Sequence, residues 1–336
     1  MADKLSEDEI ALYDRQIRLW GLAAQTSMRS AKVLLVNLGS IGTEVAKNVV
    51  LSGVGHITVL DSHVVTEQDL GSQFFVGEDD VGKLRVEAAA PRLQDMNPRV
   101  ELGFEHDEEK DESFYQGFNL IIATELNFKD RLRLNDISRK NNIPIYFAGS
   151  NGLFAYAFVD LISFDAVDEK PNNGFSSPEL GQISRNREII SVVPRVEEDD
   201  KKIDVITTRN NYKTINEVMQ RASLDGILTK KQIKKVSNVL PLTLAQLKCE
   251  NPINSNEFSQ QLSITCKQLD IEESTLKYNY IEEFKKQQGV EFAPVASVIG
   301  GAVSQDVINI LGKSQSPLNN FIVFDGITLD MPIFEF

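Results

Sequence analysis

The sequence predicts an α/β fold with a mostly parallel sheet that is covered by helices on both faces, together with a largely helical insertion. Short apolar runs alternate with helical periodicity up to about residue 165, which is typical of a parallel sheet. The same pattern returns near residue 290, whereas the periodicity between these points is helical. We therefore expect one core from residues 1–165 and 290–336, interrupted by a mainly helical insertion with flexible loops at 166–289.

The strands of this core are predicted from short runs of apolar residues. A parallel strand that is buried on both faces is continuously apolar, so a parallel strand is expected at 33–36, and further strands of a mostly parallel sheet are expected at 57–60, 120–123, 143–147 and 321–324. A more alternating run at 154–164 predicts an antiparallel strand. Helices are expected at about 43–52, 83–96, 129–140 and 294–311. Two glycines inside the last helix, Gly300 and Gly301, would cost about 1 kcal/mol each, so we expect a neighbouring backbone to approach there.

The N-terminal segment predicts a helix that carries two arginines. Ser6 and Glu9 fit a capping box, which would start the helix near Glu7. One face at helical spacing is apolar: Ile10, Tyr13, Ile17 and Trp20. Arg15 points away from that face, and Arg18 lies at its border with Asp14 four residues before it as an ion-pair partner. Spacing alone favours a plain amphipathic surface helix with solvated arginines.

The insertion is predicted from a change of composition. Residues 168–178 are rich in Pro, Asn, Ser and Gly, and residues 197–202 are a run of charges, so both are expected to be solvated loops. Several short helices are expected from about residue 214 to 286.

Composition excludes several classes of function. The net charge of −14 argues against a nucleic-acid-binding protein. No apolar run approaches the roughly 20 residues needed to cross a bilayer, and the first six residues lack the apolar stretch of a secretory signal. The only two cysteines, Cys249 and Cys266, provide no disulfide framework, so a reducing intracellular compartment is expected. The three histidines have no metal-ligand spacing, and no metal site is expected.

A nucleotide-type turn follows the first strand. The dinucleotide fingerprint Gly-x-Gly-x-x-Gly appears here as Asn37-Leu-Gly39-Ser-Ile-Gly42, and Asp61 ends the next strand. Asn37 adds bulk where the tight turn is made, while Gly39 would still admit a phosphate to the helix N-terminus and Gly42 would allow close helix–strand packing. Two interpretations stay open: a nucleotide-type fold that binds no nucleotide, and an NAD-dependent dehydrogenase. Against the second, no histidine or lysine stands out as an acid or base for hydride transfer.

Several motifs together identify a family. They are the stretch from Tyr13 to Gly21, the turn from Gly39 to Gly42, Gln73-Phe74, Val81-Gly-Lys83, Asn97-Pro98, the stretch from Pro294 to Ala302 and the stretch from Asn319 to Gly326. In this order they resemble the adenylating fold of ubiquitin-like-protein activating enzymes, the ThiF/MoeB-like superfamily. Within it, the sequence is most similar to the smaller subunits of SUMO-activating heterodimers. The resemblance covers residues 8–165 and 290–326.

The resemblance implies that the chain's own nucleotide site is degenerate. In this family two related adenylating domains pack together, and only one is active. Ser72 stands where the active type has an ATP-binding arginine, Arg85 stands in place of a phosphate-contacting lysine, and Glu125 lies near the position of a magnesium-binding aspartate. With Asn37, these departures imply that the site formed with Gly39, Gly42 and Asp61 does not hold ATP and Mg²⁺ productively. We therefore expect the partner subunit to bind both.

The same resemblance assigns a role to the arginines. Arg15 is implied to reach into the partner's ATP site as an arginine finger, with Arg18 beside the same phosphates. Cys249 and Cys266 lack the Pro-x-Cys-Thr surroundings of the nucleophilic cysteine, so we expect both to be ordinary small residues.

The implied partners are a larger cysteine-bearing subunit, a SUMO-type modifier and, indirectly, the conjugating enzyme, in the nucleus and also the cytoplasm. The partner subunit of the NEDD8-activating enzyme shares the arginine helix, but 336 residues are too few for it. A pure scaffold with solvated arginines is a further alternative.

Overall fold

The computed structural model describes residues 5–107, 109–172, 177–196, 201–250, 252, 254–312 and 316–336. In this part of the chain, twelve strands form two sheets. The strands are β1 Lys32–Val36, β2 His56–Leu60, β3 Glu101–Glu105, β4 Leu120–Thr124, β5 Ile145–Asn151, β6 Phe154–Asp160, β7 Ser163–Pro171, β8 Gly181–Ser184, β9 Arg187–Val196, β10 Lys202–Asn211, β11 Phe321–Asp325 and β12 Ile333–Phe334.

Thirteen α-helices are found in the same described ranges. They are α1 Glu7–Leu12, α2 Asp14–Trp20, α3 Leu22–Arg29, α4 Ser40–Leu51, α5 Arg85–Met96, α6 Glu112–Tyr115, α7 Phe128–Lys140, α8 Ile215–Arg221, α9 Lys230–Ile233, α10 Val239–Leu247, α11 Ser255–Gln268, α12 Tyr278–Lys286 and α13 Ala293–Gly312.

The main sheet has eight strands in the order β12-β11-β6-β5-β4-β1-β2-β3. The five strands from β5 to β3 pair in parallel. Four of them were predicted from their apolar runs, whereas β3 was not, because its sequence Glu-Leu-Gly-Phe-Glu is not continuously apolar. β6 pairs antiparallel with β5 and β11, so the predicted antiparallel strand is confirmed. Strand order reverses between β1 and β4, and in such open sheets ligands bind in the crevice at the carboxyl ends of the strands beside this point.

Helices cover both faces of this sheet. Leu34 and Leu35, neighbours on β1, belong to different cores because successive strand residues point to opposite faces. The core with Leu35 includes α4, α5 and α13. The core with Leu34 includes α7 and the helices between residues 215 and 286, so the predicted helical segment forms part of the layer that covers the sheet.

A second sheet, in the order β7-β10-β9-β8, occupies the first part of the segment predicted as a mainly helical insertion with flexible loops, so that prediction is wrong up to Asn211. β7 runs to Pro171, inside the stretch predicted as a loop at 168–178, and β10 begins at Lys202, inside the charge run. Ion pairs between strands stabilise this polar sheet: both Arg209 and Arg195 pair with carboxylates on β7, at 2.8 Å and 2.9 Å. Residues 173–176 and 197–200 of the predicted loops lie outside the described residues.

The N-terminal segment forms three helices rather than one. The predicted capping box is confirmed, with Glu9 N 3.2 Å from Ser6 Oγ and Ser6 N 2.8 Å from Glu9 Oε2. α1 ends at Leu12, and Gly21, at φ 88°, separates α2 from α3. Because the axis breaks, the predicted continuous apolar face is wrong: Tyr13 is buried, but Ile10 is 39% exposed.

Helix α13 crosses the core against α3 and α4. Among the described helices, α13 is the one that is long and apolar enough to cross a membrane, judged by length and composition only. Its most apolar 18-residue window has a mean hydropathy of 1.4, and 56% of that window is buried inside the fold. A Cβ on Gly300 would lie 2.6 Å from Glu44 Cβ on α4, so the predicted close approach is confirmed there. At Gly301 the prediction is wrong, because no described atom lies within 4 Å of the corresponding position.

Candidate functional site

The two N-terminal arginines lie exposed on α2 but differ in their contacts. Arg18 Nε lies 3.0 Å from Asp14 Oδ2, which confirms the predicted ion pair one helical turn apart. Among the described residues, no hydrogen bond or ion pair joins Arg15 to the rest of the chain. Its guanidinium, with five N–H donors, is therefore available to a group from outside.

Exposed apolar side chains surround this helix. Leu19 is 76% exposed, and Leu12 and Leu22 are also exposed on the flanking helices. A groove of about 310 Å³ runs between α2, α4 and α13, lined among others by Trp20 and Leu51. Neighbouring apolar side chains of this kind mark surfaces that pack against another molecule.

The nucleotide-type turn is formed, with Asn37 in place of its first glycine. Asn37 has a φ of 68°, in the left-handed region that asparagine tolerates better than most residues. Its Nδ2 donates to Thr124 O at 2.7 Å, and Thr124 Oγ1 donates to Asn37 O at 3.1 Å. The asparagine therefore ties the end of β1 to the end of β4, across the point where strand order reverses. A Cβ on Gly42 would collide with the Asn37 carbonyl, so the predicted close helix–strand packing is confirmed.

A carboxylate of the chain itself lies at the N-terminus of α4. Glu291 Oε1 accepts a hydrogen bond from Ser40 N at 3.2 Å, and Glu291 Oε2 accepts one from Ser72 Oγ at 2.9 Å. A Cβ on Gly39 would collide with Glu291 Oε1, so this glycine gives the room that the carboxylate fills. Backbone N–H groups at a helix N-terminus favour a negative charge, and here Glu291 takes the position that a phosphate would approach.

The segment that carries Glu291 is fixed to the turn between β5 and β6. Gly152 N donates to Val290 O at 2.7 Å, and Leu153 N donates to Gln287 Oε1 at 2.6 Å. Gly289 N donates in turn to Asn151 Oδ1 at 3.3 Å. Three hydrogen bonds within a few residues hold the carboxylate in place. Glu291 was not among the residues predicted from sequence, and no local motif marks it, because it lies 251 residues from Ser40.

Asp61 and Arg85 are bonded to other groups of the chain. Asp61 is fully buried, and its Oδ2 accepts from Leu38 N at 2.7 Å while its Oδ1 accepts from His63 N at 2.8 Å. Burial alone would raise the pKa of Asp61, but these hydrogen bonds and the Arg85 charge outweigh it and hold the pKa below its usual value. Arg85 Nη2 lies 2.7 Å from Asp69 Oδ1, so its charge is already compensated.

Glu125 directly follows β4, near the position where the family resemblance implies a magnesium-binding aspartate. Its φ is 55°, and its carboxylate accepts from Ser150 N at 3.2 Å and from Ser150 Oγ at 3.3 Å. The residue lines two cavities of about 260 and 270 Å³, and as a whole it is exposed, whereas its carboxylate is enclosed by surrounding atoms. Burial of the carboxylate, and then the negative charge of Glu291, raise the pKa of Glu125 to about 8. A carboxyl group that is protonated at neutral pH is a poor ligand for Mg²⁺.

The six predicted residues of the chain's own site thus come together around one helix end. Asn37, Gly39 and Gly42 form the turn, Asp61 bonds to that turn, and Arg85 pairs beside Asp61. Ser72 reaches the same place through Glu291. The cavity of about 270 Å³ at the ends of β1, β2 and β4 leaves room for a small molecule. The phosphate side is filled by a carboxylate, so these residues do not fit ATP with Mg²⁺.

Comparisons with known proteins identify the family. A sequence model of the ThiF family matches residues 13–336. The Saccharomyces cerevisiae protein named DNA damage tolerance protein RHC31 is 54% identical, over 99% of both chains. The proteins named SUMO-activating enzyme subunit 1 from Homo sapiens and Bos taurus are 29% and 30% identical, each over 96% of this chain and 93% of theirs.

Solved structures agree on the fold. PaaA superposes with a TM-score of 0.57 at 16% identity, over 100% of this chain and 76% of its own. E. coli MccB, crystallised with succinimide, superposes with a TM-score of 0.54 at 15% identity, over 96% of this chain and 71% of its own. At such identities the likeness shows the fold alone, and it confirms the predicted α/β class.

Proposed function

The chain belongs to the ThiF family, and from this premise we propose that it is the smaller subunit of a heterodimeric SUMO-activating enzyme. In this proposal a larger subunit binds ATP and Mg²⁺, adenylates the C-terminus of the modifier and then takes it as a thioester. This chain pairs with that subunit and donates an arginine in trans, and by itself it is inactive. Its similarity to proteins named SUMO-activating enzyme subunit 1 extends over nearly their whole length.

One observation carries the proposal: Arg15 is free on an exposed helix, while the chain's own phosphate position is filled by Glu291. An exposed arginine alone would be ordinary. Here the chain keeps a free guanidinium next to an apolar surface and has closed its own anion position. Both features suit a subunit that supplies charge to a neighbour's site.

The chemistry of adenylation explains why an arginine would matter. The modifier's carboxylate attacks the α-phosphorus of ATP, pyrophosphate leaves, and negative charge grows on the phosphate oxygens. A guanidinium offers planar, charge-assisted donors to such oxygens. By analogy with other arginine fingers, its loss costs about 10³-fold in rate, which is about 4 kcal/mol.

The two cysteines support placing the thioester on the partner. Cys249 and Cys266 are both buried, and burial raises the pKa of their thiols to about 12 and about 11. The thiolate is the nucleophile, so neither side chain is suited to accept the modifier from an adenylate at neutral pH.

The test is ATP–pyrophosphate exchange by the reconstituted heterodimer with Arg15→Ala. Since Arg15 forms no hydrogen bond or ion pair with the described residues of its own chain, we expect unchanged melting of the isolated chain, unchanged pairing and a loss of exchange of about 10³-fold. Arg15→Lys keeps the charge but loses the bidentate fork, so an intermediate loss is expected. Arg221→Ala, which removes an exposed arginine from α8, is the matched control and should leave exchange unchanged. Near-normal exchange by Arg15→Ala would reject the role and leave a scaffold.

A further inference from the structure

We propose that Lys248 is a covalent modification site, whose amine accepts an acyl group from a small acyl thioester. The inference is independent of the proposed function. It depends on the surroundings of Lys248, which follows directly after α10 and faces α11, on the side of the main sheet away from α4.

The amine of Lys248 is held by neutral groups. Its Nζ donates to Thr265 Oγ1 at 2.9 Å and to Gln268 Oε1 at 2.7 Å, both on α11. Among the described residues, no carboxylate forms an ion pair with it. Lys110 shows the opposite case, because its hydrogen bond to the Glu105 carboxylate raises the pKa of that amine.

The titratable groups that face Lys248 cannot balance its charge. They are Cys249 from the end of α10 and Cys266 from α11. Both thiols stay protonated at neutral pH, since burial and then the charges of Glu257 and Glu273, respectively, raise their pKa values. Burial without compensation lowers the pKa of Lys248 to about 8. At pH 7 about a tenth of this amine is therefore unprotonated and nucleophilic, and the fraction rises to about half at pH 8.

A cavity gives an acyl donor access to this amine. It has a volume of about 310 Å³ and lies between α7, α8 and α11, with Lys248 in its wall. The lining includes apolar side chains, from Phe128, Met219 and Ile264, and amides, from Asn216, Gln220, Gln261 and Gln268. The apolar lining suits a short acyl chain. Gln220 and Gln268 each donate one hydrogen bond within the chain, and the second N–H of such an amide can stabilise the oxygen of the carbonyl under attack.

The reaction needs no further reagent. The neutral amine attacks the thioester carbonyl, a C–N bond forms and the C–S bond breaks. The sulfur leaves with the electron pair and receives the proton that the nitrogen loses, so the products are an amide and a thiol. The amide is uncharged, so acylation also removes an uncompensated charge from the interior.

The experiment is site-resolved mass spectrometry of the full chain treated with acetyl-coenzyme A as the thioester probe, from pH 6.5 to 10. Exposed Lys286 is the internal reference. Compared with an ordinary lysine, the lower pKa of Lys248 raises the unprotonated fraction of its amine about 10²-fold at pH 7.5. The less basic amine is also about tenfold less nucleophilic, so Lys248 should react about tenfold faster than Lys286 at this pH. Its rate should reach half of its plateau near pH 8. Reaction no faster than at Lys286, or a midpoint near pH 10, overturns the proposal.

Gln268→Glu is the second measurement. It places a carboxylate at hydrogen-bond distance from Nζ, which stabilises the ammonium and should slow acetylation of Lys248 at least tenfold, with Lys286 unchanged. Thr265→Val removes a neutral acceptor and should not slow it. Equal rates in Gln268→Glu and the parent chain, with an unchanged melting temperature, overturn the proposal. If Gln268→Glu does not fold, the pH profile of the parent chain decides alone.

Discussion

Ser72 Oγ donates a hydrogen bond of 2.9 Å to Glu291 Oε2 and joins two segments that lie 219 residues apart. The family resemblance implies an ATP-binding arginine at the position of Ser72 in active members, and Glu291 lies at the N-terminus of α4. The two departures from an active site are therefore one arrangement. The Ser72 hydroxyl donates a hydrogen bond to the Glu291 carboxylate, whereas an arginine at this position would bind a phosphate.

The first prediction is that restoring the arginine is not enough to restore anion binding. In Ser72→Arg the new guanidinium should pair with Glu291 and remain compensated. Removing the carboxylate as well, in Ser72→Arg with Glu291→Ala, leaves a free cation beside the helix N-terminus, and pyrophosphate should bind at least about tenfold more tightly than to Ser72→Arg, a difference of about 1.4 kcal/mol. Calorimetric titration of the isolated chain measures this. Equal binding to the single and double variants would show that Glu291 does not compete.

The two glycines of α13 offer a matched pair for stability. A methyl group at Gly300 meets Glu44 Cβ at 2.6 Å and Ile41 O at 3.4 Å, so Gly300→Ala must push α13 from α4 and should destabilise the chain by about 1–3 kcal/mol. Gly301→Ala meets no described atom and should stabilise the helix by about 1 kcal/mol. Urea unfolding of both variants measures the difference. The packing explanation fails if the two substitutions have the same sign.

Most strands of the main sheet could be predicted from sequence because they are buried on both faces, whereas the edge strands β3 and β12 are partly exposed and were not predicted. Runs such as Val33–Val36 carry the signal in four consecutive residues. The second sheet could not be predicted in this way, because much of its surface is solvated and it contains few apolar runs. Arg209 pairs with Asp165, 44 residues away, and such a pair is visible only once the strands are adjacent.

For the candidate site, the sequence predicted the residues but not how they are occupied. Asn37, Asp61 and Ser72 stand out because a family pattern assigns them positions. Glu291 belongs to no motif, and its contact with Ser40 joins opposite ends of the chain. Hydrogen bonds to the β5–β6 turn place it, and they follow from tertiary structure alone.

Glu125 makes the stability depend on pH. Its pKa rises from 4.5 to about 8 on folding, so both states are protonated below pH 4.5 and both are ionised above 8. Between these values only the unfolded chain releases the proton, so the free energy of unfolding falls as the pH rises. Glu125→Gln removes this contribution and keeps an acceptor for Ser150. Its advantage over the parent chain in urea unfolding should therefore grow from pH 5 to pH 8, whereas Glu87→Gln, at an exposed position on α5, should show no such trend. A constant difference across this range would contradict the shift.

The last prediction separates the two arginines of α2. Arg18 Nε lies 3.0 Å from Asp14 Oδ2, whereas Arg15 has no such partner in the part of the chain that the structure describes. Arg15 can therefore meet a phosphate without first breaking an ion pair there. In the heterodimer we expect Arg15→Ala to lower ATP–pyrophosphate exchange by about 10³-fold, and Arg18→Ala by at least tenfold less than that. Asp14→Ala is the control for the ion pair: an exposed pair one turn apart is worth about 0.5 kcal/mol, so releasing Arg18 should change exchange by no more than about threefold. If Arg18→Ala lowers exchange as much as Arg15→Ala does while Asp14→Ala leaves it unchanged, both arginines contact the reacting phosphates. The prediction that exchange depends mainly on Arg15 would then be wrong.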